Sequence, residues 1–394
     1  MPTPFLEEPV LSEAQRRRIL DGVEHRGEFV LAENLFRIGA DDPRVLESFR
    51  AHYGVLEVAP DPARPAAVEI VCALERQPEP LLTLLAGGRP YRVRGEEAVE
   101  HSFATLFHLM TLGIRTHHLV HAGCVSIRGR GIVIAAVSGM GKSTLSAHLA
   151  VRGADLLSDE LAPLDRVSGL VVPAPFLVGI RPGAGDSLVD GRETVSFAFR
   201  EDRKRLVPVS SLSGREPPGA VRPHAIVFVT PRAGASVTTL TKHEGAVMIT
   251  FTAWTETFGA DLDAVPGLRV LSRGSRDGHP FLMLEADDPE RAMPALLLIA
   301  GRHDIEIAGV QLEGHEGPDF AIDPVLARIP AAAGVLELVK KIFPLQLKEL
   351  VRCEFGGRMT PLVQELAGLL RDTVFYKLTP GRLEAMLTRL EGLA

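Results

Sequence analysis

The spacing of apolar positions switches repeatedly between the period of a strand and that of a helix, and the switches divide the chain. Up to residue 95, short apolar stretches at 68–74 and 81–85 are broken by DPARPA (61–66) and GGRP (87–90), which predicts a small mixed α/β region. Residues 98–113 carry apolar side chains at helical spacing without proline and predict a helix. The period then shortens: 131–137 is a β-branched apolar run, 143–151 has helical spacing, Gly153 can cap that helix, and 154–158 is a second short apolar run. Strand, loop, helix and strand in that order predict one βαβ unit.

Further strand-like runs at 170–172, 225–230, 247–251 and 281–284 predict a sheet of several strands. Beyond them, 334–350 and 361–370 have amphipathic helical spacing, with Pro344 dividing the first stretch into two helices. Thr379-Pro380 reads as the N-cap and first position of a final helix. The predicted organisation is an N-terminal mixed α/β region over 1–95, a P-loop core over 96–290 and a mainly helical module over 291–394.

Composition narrows the class. A chain of 394 residues with 46% hydrophobic and 24% charged residues and a net charge of −7 is an ordinary globular protein, and mild acidity argues against broad nucleic-acid or membrane-surface binding. Cys72, Cys124 and Cys353 lie far apart, which suggests neither a disulfide framework nor a zinc site. The first residues lack the order of a secretory signal, and no uncharged apolar run reaches the roughly 18 residues of a membrane span. A cytoplasmic location is expected.

The chemistry concentrates between His121 and Glu160. Ala136-Val137-Ser138-Gly139-Met140-Gly141-Lys142-Ser143 matches the phosphate-binding G-x-x-x-x-G-K-[ST] loop except that alanine stands at the first glycine. That position closes a strand and does not touch phosphate, so a negative φ suffices there. Backbone N–H groups at the helix start would face the phosphates, Lys142 would reach the β- and γ-phosphates, and Ser143 would offer its hydroxyl to Mg²⁺. The nucleotide-binding set is Ser138, Gly139, Met140, Gly141, Lys142, Ser143 and Thr144, although Thr144 by itself reads as an ordinary first-turn residue. Phosphoryl transfer also needs carboxylates to hold the metal and to take the acceptor's proton, and Asp159 and Glu160 stand where the second strand ends. Asp155 has no such support. Arg181, Arg203, Lys204 and Arg205 are candidates for phosphate or acceptor contact. His117 and His118 read as loop residues, and Trp254 as core.

From His121 to Glu160 the chain resembles the HPr kinase/phosphorylase superfamily, and within it the HPr-kinase-related branch, where a histidine before the P-loop strand is followed by P-loop, helix and an L-S-D-[DE] segment. The stretch from Lys142 to Asp159 aligns without a gap. A fainter likeness runs through Pro173-Ala174-Pro175-Phe176, Arg203-Lys204-Arg205 and the strands after Ala225.

The resemblance implies an α/β P-loop kinase core of the HPr-kinase and PEP-carboxykinase-like type. It further implies ATP and Mg²⁺ as cofactors and transfer of the γ-phosphate to a hydroxyl, usually serine. By position it makes His121, Lys142 and Asp159 catalytic, with Ser143 and Glu160 as metal ligands. Glu160 stands where HPr kinases have a second aspartate, and Leu177-Val178-Gly179-Ile180-Arg181 replaces their arginine-glycine-leucine-glycine-isoleucine signature. HPr is therefore not the expected acceptor. The branch includes kinases of ribosomally made peptides, lasso peptides among them, so a peptide or protein acceptor is expected, with no nucleic-acid or membrane partner and with a homo-oligomer left open. The alternatives are a small-molecule hydroxyl kinase and a nucleotide-gated binding protein that transfers no phosphate.

Overall fold

Alternation decides which side of each strand is buried, and in this chain both sides usually are. The computed structural model describes residues 8–75, 80–94, 98, 102–136, 140–180, 186–192, 194, 205–215, 219–230, 247–276, 279–287, 289–303, 305, 307–312 and 321–394. It is a mixed α/β protein with several sheets. Its contacts divide it into one unit running from Leu6 to Thr230 and again from Ala321 to Ala394, and a second unit over Pro231–Phe320. The boundaries expected after residues 95 and 290 do not coincide with this division. Residues 231–320 are an insertion between two strands of one sheet, and turn composition along the chain carries no sign of a discontinuous unit.

The first unit opens with α1 (Glu13–Asp21), started by a capping box between Ser12 and Gln15. The strands β1 (His25–Leu31), β2 (Asn34–Ala40), β3 (Glu57–Val58), β4 (Val68–Glu75), β5 (Leu81–Ala86) and β6 (Arg89–Arg94) form a sheet of order β3-β1-β2-β4-β5-β6. Helix α2 (Pro43–Tyr53) packs on α3 (Ser102–Gly113), where Tyr53 stacks on Phe107 with ring centroids 4.8 Å apart. Residues 102–111 of α3 are buried all round, because α3 lies between this sheet and the next layer.

The central sheet contains β8 (Gly123–Ile127), β9 (Arg130–Ala136), β10 (Asp155–Ser158), β14 (Pro223–Val229), β19 (Leu326–Ile329) and β20 (Val374–Leu378), in the order β10-β8-β9-β14-β20-β19. Strands β9, β14 and β20 run parallel, and β8 and β9 form an antiparallel hairpin whose turn residues Arg128 and Gly129 have φ of 52° and 78°. Ile132 and Ile134 face α4 (Lys142–Val151) and α12 (Leu383–Glu391), while Val133 and Ala135 face α9 (Ala331–Val339) and α11 (Met359–Leu369). β7 (His117–Val120) pairs with β11 (Ala162–Asp165) as a separate ribbon. The short β12 (Val178–Ile180) and β13 (Arg205–Val207) form another.

The second unit has the order β15 (Val247–Phe251), α7 (Glu256–Asp263), β16 (Leu268–Arg276), β17 (His279–Ala286), α8 (Pro289–Arg302) and β18 (Ile307–Leu312). Its antiparallel sheet of order β16-β17-β15-β18 makes it a split βαβ, ferredoxin-like unit. Ile249, Phe251, Phe258, Leu262, Leu282, Leu284 and Leu296 form its core. Trp254 sits at the edge of that core, edge-on to Phe258 and under the Arg273 guanidinium.

Several local expectations change. The run at 170–172 is not a strand; only Val171 makes bridges, to Leu164 and Val221. The runs at 225–230, 247–251 and 281–284 belong to two sheets, not one. The module over 291–394, expected to be mainly helical, also contributes β19 and β20 to the central sheet. Pro344 starts α10 (Pro344–Cys353), as its missing N–H permits. The last helix begins at Leu383, not at Pro380, because the Thr379 hydroxyl accepts the Val325 N–H at 2.8 Å and is unavailable as a cap. His117 and His118 are buried strand residues, the latter bonded to Glu365 at 2.9 Å.

Gly334, inside α9, lies so close to the Phe375 ring of β20 that an added Cβ would stand 2.6 Å from Phe375 Cβ. Alanine in a helix interior normally gains about 1 kcal/mol over glycine, whereas overpacking costs about 1–3 kcal/mol. Gly334→Ala is therefore expected to lower stability by about 1–2 kcal/mol in denaturant titration, and Phe375→Leu in the same chain to recover part of it. A stabilised Gly334→Ala protein would contradict this packing.

Candidate active site

The strand–loop–helix joint places the first functional group. β9 ends at Ala136, which is buried, pairs with Val229 and is absent from the residues with positive φ, so alanine is unstrained at the position of the missing glycine. Ser138 and Gly139 lie outside the described residues. Met140 packs against the α4 face of the central sheet. Gly141 has φ 86°, the left-handed region, and its carbonyl accepts the Leu145 N–H at 2.8 Å, so α4 begins at Lys142. Ser143 and Thr144 occupy the first helical turn, half-buried.

A second glycine brings this helix close to the sheet. A Cβ on Gly123 of β8 would collide with Ser146 of α4, so glycine there permits the approach. β10 lies on the far side of β8 from β9, and it carries the acids to the same end of the sheet as the loop. At its end the Ser158 hydroxyl accepts the Leu161 N–H at 3.1 Å and bonds the Leu161 carbonyl, which closes a turn around Asp159 and Glu160.

Lys142, only 11% exposed, extends into that turn. Its Nζ donates to the Asp159 carbonyl and lies 3.4 Å from Asp159 Oδ1 and 3.7 Å from Glu160 Oε2. Glu160 Oε2 is in turn 3.0 Å from His121 Nε2. The His121 N–H donates to the Lys341 carbonyl at 2.6 Å, and the Phe343 ring centroid stands 5.7 Å from the imidazole. Four side chains from three separate segments therefore meet: His121, Lys142 and the adjacent Asp159 and Glu160.

Their environments differ. Asp159 is fully buried, and burial holds its carboxyl above the usual range against the pull of Lys142. Burial acts on Glu160 in the same direction, but Lys142 and the His121 hydrogen bond outweigh it and hold that carboxyl well below its usual range. Lys142 is disfavoured by burial and still held above its ordinary value by the two acids. His121 is held below its ordinary value, chiefly because the surrounding protein displaces water, with Glu160 pulling the other way. A neutral imidazole facing a carboxylate donates from Nε2.

Asp159 Oδ2 is buried and has no hydrogen-bond partner among the described residues. A buried carboxylate oxygen without a donor is costly, and a cation or a hydroxyl brought by a ligand would satisfy it. The Ser143 hydroxyl bears on the same carboxyl. Among the described residues no group of three or more His, Cys, Asp or Glu forms a cage. This donor set fits a hard cation that draws its remaining ligands from phosphate and water, as Mg²⁺ does.

Of the remaining candidates, Arg181, Arg203 and Lys204 lie outside the described residues, and Arg205 is exposed on β13. Asp155 is paired with Arg215 at 3.4 Å, away from the cluster. Sequence pattern passed over Gly123, Ser158 and the Lys341 carbonyl. The serine of the L-S-D-[DE] segment carried a usable signal, since a hydroxyl preceding two acids at a strand end can close a turn, but a backbone carbonyl leaves none.

No family model matches the chain. A 76-residue stretch is 36% identical to the protein called "Putative HPr kinase/phosphorylase 2" of Oceanobacillus iheyensis, covering 19% of this chain and 25% of that protein. The match thus spans about a quarter of the curated relative's length and supports a distant relationship to HPr kinase/phosphorylase. Among solved structures, the Hpr(Ser) kinase/phosphatase from Coxiella burnetii covers 47% of this chain and 90% of its own at 14% identity, with a TM-score of 0.20, an overlap too poor to bear on the fold. No described helix is long and apolar enough to cross a membrane.

Lys142→Met leaves Asp159 buried without its counter-charge, which costs up to about 3–5 kcal/mol when the carboxyl is ionised. Burial raises the folded carboxyl above 3.8, whereas the unfolded chain titrates near that value, so the penalty grows as pH rises through the interval between them and is relieved below it. Denaturant titrations should therefore show a smaller deficit for Lys142→Met in acid, where the carboxyl is protonated in both folded and unfolded chains, than at neutral pH. A deficit that does not shrink on full protonation of the carboxyl would show that the two groups do not interact.

Proposed function

We propose that this chain is an ATP- and Mg²⁺-dependent kinase that transfers the γ-phosphate to a hydroxyl, most suitably serine, of a peptide or protein. The observation that carries the reading is the convergence of Lys142, at a helix start preceded by a left-handed glycine, with two acids on the next strand. The short similarity to an HPr kinase/phosphorylase supports phosphoryl transfer as the reaction class.

In this reading the amides opening α4 and the Lys142 ammonium bind the polyphosphate, whose charge displaces Lys142 from the Asp159 carbonyl. Ser143 and Glu160 would hold Mg²⁺, which when bound neutralises charge on the transferring phosphoryl group. Asp159 receives the acceptor's proton. Burial makes it a stronger base than an exposed aspartate, and its unbonded Oδ2 is the atom available for that proton. The acceptor oxygen forms its bond to the γ-phosphorus as the bond to the β-bridging oxygen breaks, and ADP leaves. His121 holds the Glu160 carboxylate in one orientation. A peptide or protein acceptor is proposed over a small molecule because the branch resembled in sequence includes peptide-modifying kinases.

The test is intact-mass spectrometry of peptides and proteins from neighbouring genes, incubated with the chain, ATP and Mg²⁺. The expected result is a gain of one phosphoryl group on a hydroxyl residue, with Asp159→Asn lowering kcat by about 10²–10⁴-fold. Tight ATP binding without transfer to any candidate would instead make the chain a nucleotide-gated binder, and an unimpaired Asp159→Asn would remove the proton acceptor proposed here.

A further inference from the structure

The strand that leads to His121 is held from behind by a residue that no catalytic motif marks. Gln346 lies in the first turn of α10, is 1% exposed, and spends its whole carboxamide on backbone. Its Oε1 accepts the Leu119 N–H at 2.8 Å, and its Nε2 donates to the Ile114 carbonyl at 2.9 Å and to the His117 carbonyl at 2.7 Å. Ile114 follows the end of α3, where carbonyls lose their helical partners. His117 and Leu119 belong to β7, the strand that leads directly to His121.

The same stretch is zipped along its other end. Val120 bridges Ile342, the His121 N–H donates to Lys341 O at 2.6 Å, and the Phe343 N–H donates to Leu119 O at 3.0 Å. Residues 341–346 therefore act as a partner strand continued by one side chain, and they fix the backbone on both sides of Val120. The Phe343 ring is tilted against the imidazole, with centroids 5.7 Å apart.

From this geometry we infer that Gln346 is a positioning residue for His121, and that residues 341–346 of the C-terminal module form the rear wall of the active site. The inference rests on the kinase reading only for its kinetic consequence. Mechanically it stands on five hydrogen bonds, three from the Gln346 carboxamide and two between backbones. Loss of the carboxamide strands one buried N–H and two buried carbonyls, which frees β7 to shift, and a shift of about 1 Å in a reacting group can cost on the order of 10²-fold in rate. Lys142 and the amides opening α4 are set by β9 and α4, which Gln346 does not touch, so the loss falls on the transfer step more than on nucleotide binding.

The experiment compares the full chain with its Gln346→Met and Gln346→Glu variants. Met keeps the volume and loses all three bonds; Glu keeps the acceptor for Leu119 and loses both donors. The structural readout is long-range ¹H–¹⁵N imidazole NMR, with the His121 signal identified by its loss in His121→Asn. The expected result is one Nε2–H tautomer of His121 in the unaltered chain, averaged or shifted in both variants. It should be accompanied by a fall in kcat of roughly 10–100-fold that exceeds any change in the KM for ATP.

A His121 signal that stays single and unshifted while only the melting temperature falls would reduce Gln346 to a structural residue and overturn the inference. If a variant does not fold, the unaltered chain still decides the question. Its Gln346 carboxamide protons should exchange slowly and show NOEs to the Leu119 amide, and free exchange would overturn the inference. If the unaltered chain transfers no phosphate, the kinase reading fails while the imidazole and exchange measurements continue to test the positioning.

Discussion

A buried ammonium held between two neighbouring acids is the constraint on which the architecture depends. Lys142 is nearly enclosed, Asp159 is wholly so, and neither could remain charged there without the other. Satisfying that pair requires α4 to start beside the end of β10, although β8 separates β10 from β9. The separation is bridged because Gly123 lets the helix lie directly on β8, and because the Ser158 turn aims two consecutive acids at one lysine. A charge left without its partner at this depth would be driven to neutralise.

Around that pair the other layers act as scaffolding whose joints are polar. Glu349 of α10 meets Arg89 of β6 at 3.1 Å and Arg115 at 3.3 Å, and Glu365 of α11 meets Arg166 at 2.6 Å and His118 at 2.9 Å. These contacts tie the N-terminal sheet, the β7–β11 ribbon and the C-terminal helices to one another. The chain leaves the central sheet after β14, whose last residue pairs with Ala136 at the start of the phosphate loop, and returns after residue 320.

Much of the local structure was legible because local chemistry enforces it. The β-branched run before the loop, the helix after it, Gly153 with φ 101° past the helix end and the helix starting at Pro344 all appear where spacing and turn chemistry place them. The misplaced elements failed through tertiary competition. Thr379 has the side chain of an N-cap but spends it on Val325. His117 and His118 have the polarity of loop residues but are drawn into a buried ribbon, where backbone pairing and Glu365 satisfy them. Residues 374–378 are too short a run to stand out from the surrounding helices, yet they pair with β14.

The candidate site divides in the same way. The linear order of residues determined that a glycine-lysine-serine joint follows a strand and that two acids close the next one, since loop, helix start and strand end are features of neighbouring residues. Only the tertiary structure decided which oxygen each group faces, that Asp159 is buried while Glu160 is shared with His121, and that the C-terminal module supplies the carbonyl and carboxamide behind that histidine. Those outcomes depend on contacts between segments as many as 232 positions apart. Periodicity describes which face of an element is apolar; it holds no information about which distant backbone group that face will meet.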